Sequence, residues 1–270
     1  MKKTINELEI KEENLIQLSA DLEKRVERRT ADLNIAKKDA ENSEKIKTEF
    51  LAQMSHEIRS PLNVVMSFIE LIKYEVEETI PEDMKVSFQS IESASNRIIR
   101  TIDLILNMTD LQLGSYEITV SKIDVSEMLI RVKNEYLQSA NNKKLDLRVE
   151  VELNNKNIMS DEYALTQVIS NLVDNAIKYT STGFVTISTK EDENNILNII
   201  VEDSGIGMRE EFLPSLFNSF TQEEQGYSRS YDGNGLGMSL VKKYCDLISA
   251  KISVESQKGS TFTLVIPNLN

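Results

Sequence analysis

Phe50-Leu51-Ala52-Gln53-Met54-Ser55-His56-Glu57-Ile58-Arg59-Ser60-Pro61-Leu62-Asn63 is the stretch from which the rest of the chain is best read. In and beyond it, Leu51, Met54, Ile58, Leu62, Val65, Ile69, Ile72 and Val76 recur in steps of three and four, the spacing of a packed helical stripe. His56, the only histidine, lies two positions from both Met54 and Ile58, so it is predicted on the opposite, solvent-facing side. With an ordinary pKa of about 6.5, much of such an imidazole is free base at neutral pH, hence a competent nucleophile. Glu57, the next residue, is placed to orient the ring or take its proton. Pro61 removes one helical N–H and frees the carbonyl of Glu57, which predicts a bend just below the nucleophile.

Further along, Thr79-Ile80-Pro81-Glu82-Asp83 breaks the pattern as a turn. A second stripe follows at Phe88, Ile91, Ile98, Ile102, Ile105 and Met108, and Gly114 ends it. Two long stripes joined by a short turn predict a helical hairpin. Each is too apolar for a lone hairpin to hide, so two hairpins are expected to pair into a four-helix bundle, making the protein a homodimer. Toward the N-terminus, Leu8, Leu15 and Leu22 recur every seven residues, with Ile5, Val26 and Leu33 on the companion position. That is a coiled-coil seam interrupted by Glu12, Ser19 and Arg29, or else a single charged, solvated helix.

Composition narrows the classes. The net charge of -13 over 270 residues repels nucleic-acid phosphates and anionic lipid, so a nucleic-acid binder is not expected. One cysteine allows no intramolecular disulfide, which fits a reducing, cytoplasmic setting. No apolar run approaches the roughly 18–20 residues of a membrane span, and no signal peptide opens the chain, so a soluble protein is expected.

Beyond Gly114 the signals change to those of an α/β domain with a mixed or antiparallel sheet. Leu145 to Val151 alternates with period two, and Val185 to Thr189, Leu197 to Val201 and Thr261 to Ile266 also read as strands. Helical patterns lie between them at Val125–Ser139, Asp161–Tyr179 and Leu236–Ile248. Thr221 to Gly233 is long, polar and glycine-bearing, as a mobile lid would be. Cys245, beside Tyr244, Leu247 and Ile248, is expected to pack rather than react.

Three clusters in this half carry ligand chemistry. Asn171, Asn175 and Lys178 fall at i, i+4 and i+7 on one helix face, where two amide oxygens beside an ammonium would seat Mg²⁺ and polyphosphate; a solvated polar face is the alternative. Asp203-Ser204-Gly205-Ile206-Gly207-Met208 follows a strand, and its glycines let backbone approach a ligand while a buried Asp203 could accept from an adenine amine. Asp232-Gly233-Asn234-Gly235-Leu236-Gly237-Met238 opens a helix with free N–H groups suited to phosphate. Its spacing is neither a Walker loop nor a dinucleotide fingerprint.

Taken together, these segments resemble the boxes of sensor histidine kinases, in the family's order. Phe50 to Asn63 resembles the H box, especially its form in hybrid kinases, and Asn171 to Tyr179 the N box. The Asp203 and Gly233 segments look like glycine boxes, Phe217-Asn218-Ser219-Phe220-Thr221-Gln222 like the F box, and Gly259-Ser260-Thr261-Phe262 like the final glycine box. The resemblance runs over about residues 45 to 268 and implies a signalling helix (1–45), a dimerisation and histidine phosphotransfer domain (46–114) and a Bergerat-type ATP-binding α/β sandwich (115–270). It implies His56 as phosphoacceptor, Mg²⁺ on Asn175 with help from Asn171, phosphate on Lys178, and Tyr179 packed at the nucleotide. ATP contacts are expected from Asp203, Gly205, Gly207, Phe217, Phe220, Gln222, Gly233, Gly235, Leu236, Gly237 and Thr261. A response-regulator aspartate and an upstream sensor are the implied partners.

Two positions depart from the family pattern. Ser60 stands where Thr or Asn usually positions water to dephosphorylate the partner, and Gln222 where many relatives carry Arg near the phosphates. The competing readings are a phosphatase that uses Ser60, another Bergerat machine, and an inactive scaffold. An exposed His56 argues against the second, and the intact glycine pattern against the third.

Overall fold

The computed structural model describes residues 2–76, 82–153, 157–191, 196–223 and 234–267. The chain divides into two compact units, 1–56 and 57–270. The first lies within helix α1 (Lys2–Val76). Its described seam residues Leu22, Val26 and Leu33 are exposed, leaving an apolar edge along this single chain. Glu57, Ile58 and Ser60 open the second unit, and Pro61 sits inside α1 without ending it.

In the second unit, the remainder of α1 packs on α2 (Glu82–Leu113). Lys73 Nζ donates to Glu92 Oε2 at 3.1 Å, and Arg59 pairs with Asp103. Ile69, Ile102 and Met108 are buried. The predicted turn at 79–83 falls mostly outside the described residues, and α2 begins at Glu82. Beyond Leu113, Ser115 N–H reaches back to Asp110 O at 3.1 Å and closes the helix.

The α/β part follows the order β1 (Val120–Asp124), α3 (Val125–Asn142), β2 (Asp146–Val151), β3 (Asn157–Asp161), α4 (Glu162–Tyr179), β4 (Phe184–Glu191), β5 (Leu197–Asp203), α5 (Gly237–Leu247), β6 (Lys251–Gln257) and β7 (Gly259–Ile266). A five-stranded sheet runs β2-β4-β5-β7-β6, parallel only between β2 and β4; β1 and β3 form an antiparallel ribbon. The sheet is therefore mixed, because the β2-to-β4 connection carries a crossover helix, α4. Along β4 and β5, Val185, Ile187, Ile199 and Val201 point to one face, where α4 covers them, with α3 over β2 and α5 over β6. Leu165, Ile169 and Leu172 of α4 fill the layer between. The strands β1, β3 and β6 were not anticipated, and β6 alternates half-buried Ile252 and Val254 with exposed residues.

Asp residues start two of these helices. Asp124 accepts from Glu127 N–H at 3.0 Å, and Asp161 from Ala164 N–H at 2.8 Å. Asp161 also accepts from Thr119 N–H (2.8 Å) and Tyr116 Oη (2.9 Å), tying the segment after α2 to the start of α4.

Candidate active site

Helix α4 lies over the sheet, with its last two turns against the ends of β5 and α5. Asn171, Asn175 and Lys178 share one face, as their spacing predicts, and all three line a cleft of about 1300 Å³. Asn171 is buried and donates Nδ2–H to Gln167 O at 2.8 Å. Its Oδ1 faces Gly237, where an added Cβ would come within 3.2 Å. Asn175 donates to Met238 Sδ at 3.0 Å, and Lys178 Nζ donates to Tyr179 Oη at 2.9 Å.

Opposite stands Asp203, 7% exposed at the end of β5. Burial pushes its carboxyl above the usual carboxylate range, and the N–H groups of Gly205 and Ser260 pull the other way. Gly205 N–H reaches Asp203 Oδ1 at 2.8 Å. A Cβ on Gly205 would lie 2.5 Å from Tyr179 O, 2.7 Å from Asp203 Oδ1 and 2.9 Å from Thr180 Oγ1, so no side chain fits. The buried Thr180 hydroxyl stands beside this carboxylate and, like those N–H groups, favours its charged form. A buried carboxylate at the floor of a cleft suits a ligand edge that presents a donor, such as the amine of adenine.

Gly235 sits at φ +69 with backbone of Phe220 within 2.9 Å of an added Cβ, and Phe220 N–H bonds Gly235 O at 2.9 Å. The entry to α5 is thereby tied to the segment that precedes residue 221. Gly207, Gln222, Gly235 and Gly237 line the cleft with Tyr179 and Asp203. Gly205, Phe217, Phe220, Leu236 and Thr261 do not. Phe220 is 75% exposed, Phe217 packs on the core, and Leu236 is buried under α5. Thr261 lies on the opposite sheet face from Ser260 and Phe262, and those two neighbours line the cleft. Of the lid expected over Thr221 to Gly233, residues 224 to 233, Gly233 among them, lie outside the described residues.

Sequence reading did not single out Ser260, Met208, Arg209 and Met238, which line this cleft, nor Thr180, which is buried beside Asp203. It also missed a wall from α2, where Asn96, Arg97, Arg100 and Thr101 face it and Arg100 pairs with Asp174. Glu57 and Ser60 are exposed on α1 and do not line the cleft. The backbone of His56 is helical, and its side chain lies outside the described residues. Cys245 is fully buried, and burial pushes its thiol up to about 12, so it packs rather than reacts.

Residues 160–270 match the family model described as histidine kinase-, DNA gyrase B- and HSP90-like ATPase, and residues 46–114 match the His kinase A (phospho-acceptor) domain. The chain belongs to the sensor histidine kinases. The autoinducer 2 sensor kinase/phosphatase LuxQ of Vibrio parahaemolyticus is 31% identical over 242 residues, which cover 87% of this chain and 28% of LuxQ. The signal transduction histidine-protein kinase BarA of Escherichia coli K12 is 32% identical over 260 residues, covering 92% of this chain and 28% of BarA. The chain thus spans little more than a quarter of these relatives. Among solved structures, full-length ShkA in complex with AMPPNP superposes with a TM-score of 0.63 at 23% identity, over 81% of this chain and 45% of ShkA. The Acinetobacter baumannii histidine kinase AdeS gives 0.54 at 19% identity, over 80% of this chain and 98% of AdeS. These two likenesses are of fold. No helix among the described residues of this histidine kinase is long and apolar enough to cross a membrane.

Proposed function

We propose that this chain is a kinase core that transfers the γ-phosphoryl group of ATP to His56 and then to an aspartate of a response regulator. The observation that carries it is the convergence of Asn171, Asn175 and Lys178 on α4 with Asp203 and the Gly207 and Gly235–Gly237 turns around one cleft, in a chain that also bears a phosphoacceptor-domain sequence. The adenine edge would meet Asp203, with the triphosphate running toward Lys178 and the Gly235–Gly237 entry to α5. ShkA, which shares this fold, was solved in complex with AMPPNP, and that supports a nucleotide as the ligand.

The carboxamide oxygens of Asn175 and Asn171 fit a hard cation that keeps water and phosphate oxygens as its other ligands. No group of three His, Cys, Asp or Glu side chains suited to a metal occurs among the described residues, so the phosphates themselves would complete the shell. Bound Mg²⁺ would neutralise charge on the phosphates. In the transfer, an imidazole nitrogen of His56 forms the new bond to phosphorus, the bond from phosphorus to the bridging oxygen breaks, and ADP leaves. Glu57 takes or orients the imidazole proton. Catalysis here is mostly positioning.

The proposed organisation is a signalling helix over 1–45, a dimerising phosphotransfer domain over 46–114 and a catalytic domain over 115–270. Val64, Val65, Phe68, Leu71 and Ile72 of α1 are exposed in one chain, the burial a second hairpin would supply. The partners are a receiver domain bearing the aspartate and an upstream sensor that moves the N-terminal helix, with the core on the cytoplasmic side. A second activity, dephosphorylation of the regulator, is favoured by the exposed Ser60 hydroxyl and by the kinase/phosphatase relative.

The test is incubation with Mg²⁺ and γ-labelled ATP for the parent, His56→Gln and Asn175→Ala. Acid-labile, alkali-stable label in the parent and in neither variant is expected. Label persisting in His56→Gln would sink the phosphoacceptor assignment.

A further inference from the structure

The last four carbonyls of a helix have no partner within it, and α4 ends without a glycine that could fold the chain back over them. Its C-cap, Thr180, is extended at φ -102 and ψ 122. Thr180 N–H takes up Ala176 O at 3.1 Å, and Ile206 N–H reaches Tyr179 O at 3.3 Å. The carbonyls of Ile177 and Lys178 are met from another element. Lys143, the C-cap residue of α3, extends its side chain to them: Nζ donates to Ile177 O at 2.8 Å and Lys178 O at 2.9 Å, and lies 3.4 Å from Thr180 O.

This end of α4 is also a wall of the cleft. Lys178 and Tyr179 line it, and Tyr179 O lies 2.5 Å from where a Cβ on Gly205 would stand, so any outward shift of the turn opens the floor beside Asp203. An ammonium with three tetrahedral donors suits carbonyls that diverge from a helix end, and its charge favours the negative end of the helix dipole. Given the ATP-binding role proposed above, on which this rests, we infer that Lys143 is a positioning residue for the nucleotide. It holds the last turn of α4 so that Lys178 and Tyr179 meet ATP in register, without touching ATP itself.

The experiment compares the parent with Lys143→Met, which keeps length and loses the donors, and Lys143→Arg, which keeps charge and donors. ATP dissociation constants are measured by equilibrium titration, alongside KM and kcat for histidine labelling and the thermal midpoint with and without nucleotide. Lys143→Met should raise the dissociation constant and KM about tenfold, the scale of losing charged hydrogen bonds, while kcat at saturating ATP stays within about twofold. Lys143→Arg should recover most of the affinity. An unchanged dissociation constant in Lys143→Met overturns the inference, as does a loss of kcat with KM unchanged. If Lys143→Met does not fold, Lys143→Arg and Lys143→Gln decide: affinity equal in both overturns it, and affinity retained only in Arg supports it. A parent that binds ATP without labelling His56 defeats the kinase assignment and leaves the binding comparison to decide on Lys143. A parent that binds no ATP defeats both.

Discussion

The helical hairpin and the α/β layer solve the same burial problem differently. In the layer, Leu165, Ile169, Ile187 and Ile199 are all fully buried, and three helices cover one face of the sheet. In the hairpin, Phe68 is 60% exposed and Val64 55%, although the sequence repeats are as apolar. A sheet face finds its cover within the same chain, whereas two helices have only one shared seam and leave a second apolar stripe bare. The layer thus hides its apolar face by itself, whereas the hairpin in the proposed reading is completed by another copy.

The sharpest way to break that contrast is in the layer. Leu165→Ala should cost about 2–5 kcal/mol in urea unfolding, the price of a cavity in a closed core. A loss no larger than that of a surface change would mean the layer is not self-sufficient. Next in size, Phe68→Glu should move the protein from dimer to monomer in sedimentation while the unfolding of the α/β part stays put. A dimer that survives would show that the bare stripe is not the contact.

A smaller effect of opposite sign is expected at Asp203. Because burial raises its carboxyl pKa in the folded state, the folded protein holds that proton more tightly than the unfolded chain does. Its contribution to stability therefore grows as pH falls from neutral into the interval between the ordinary and the raised value. Above that interval the buried charge is a net cost. Asp203→Asn should leave the unfolding midpoint at neutral pH equal or higher, and the midpoint difference from the parent should shrink on acidification. ATP affinity should drop about tenfold or more, since the new amide N–H₂ confronts the adenine amine. A lowered midpoint at neutral pH would show that the carboxylate supports the fold. Last, Arg148→Ala removes a solvent-exposed pair with Asp146 on the edge strand β2 and should leave the midpoint unchanged by calorimetry.

Legibility in the sequence followed the same division. Helical spacing alone placed Asn171, Asn175 and Lys178 on one face, because a helix fixes its own geometry within a few residues. Thr180 and Ser260 escaped notice because their approach to Asp203 depends on pairings set far away in sequence, such as Asp203 opposite Ser260 across β5 and β7. Thr261 and Ser260 differ by one position, yet the pleat sends them to opposite faces, a parity that the glycine box does not announce. The hairpin stripes were equally readable. The α2 wall of the cleft was not, since nothing in the repeat of Ile98 and Ile102 says that Arg97 just before it and Arg100 within it will face the α4 end.

The place of β7 has a consequence for how the protein is made. Gly259–Ile266 lies between β5 and β6, inside the sheet, yet it is the last of the described strands to leave the ribosome. Until it inserts, β5 has an unpaired edge and Ser260 is missing from the side of Asp203. A chain stopped before β7 has both hairpin helices but an unfinished side to the Asp203 cleft. In the proposed reading, synthesis order thus leaves ATP binding until the end, after the dimerising hairpin is complete.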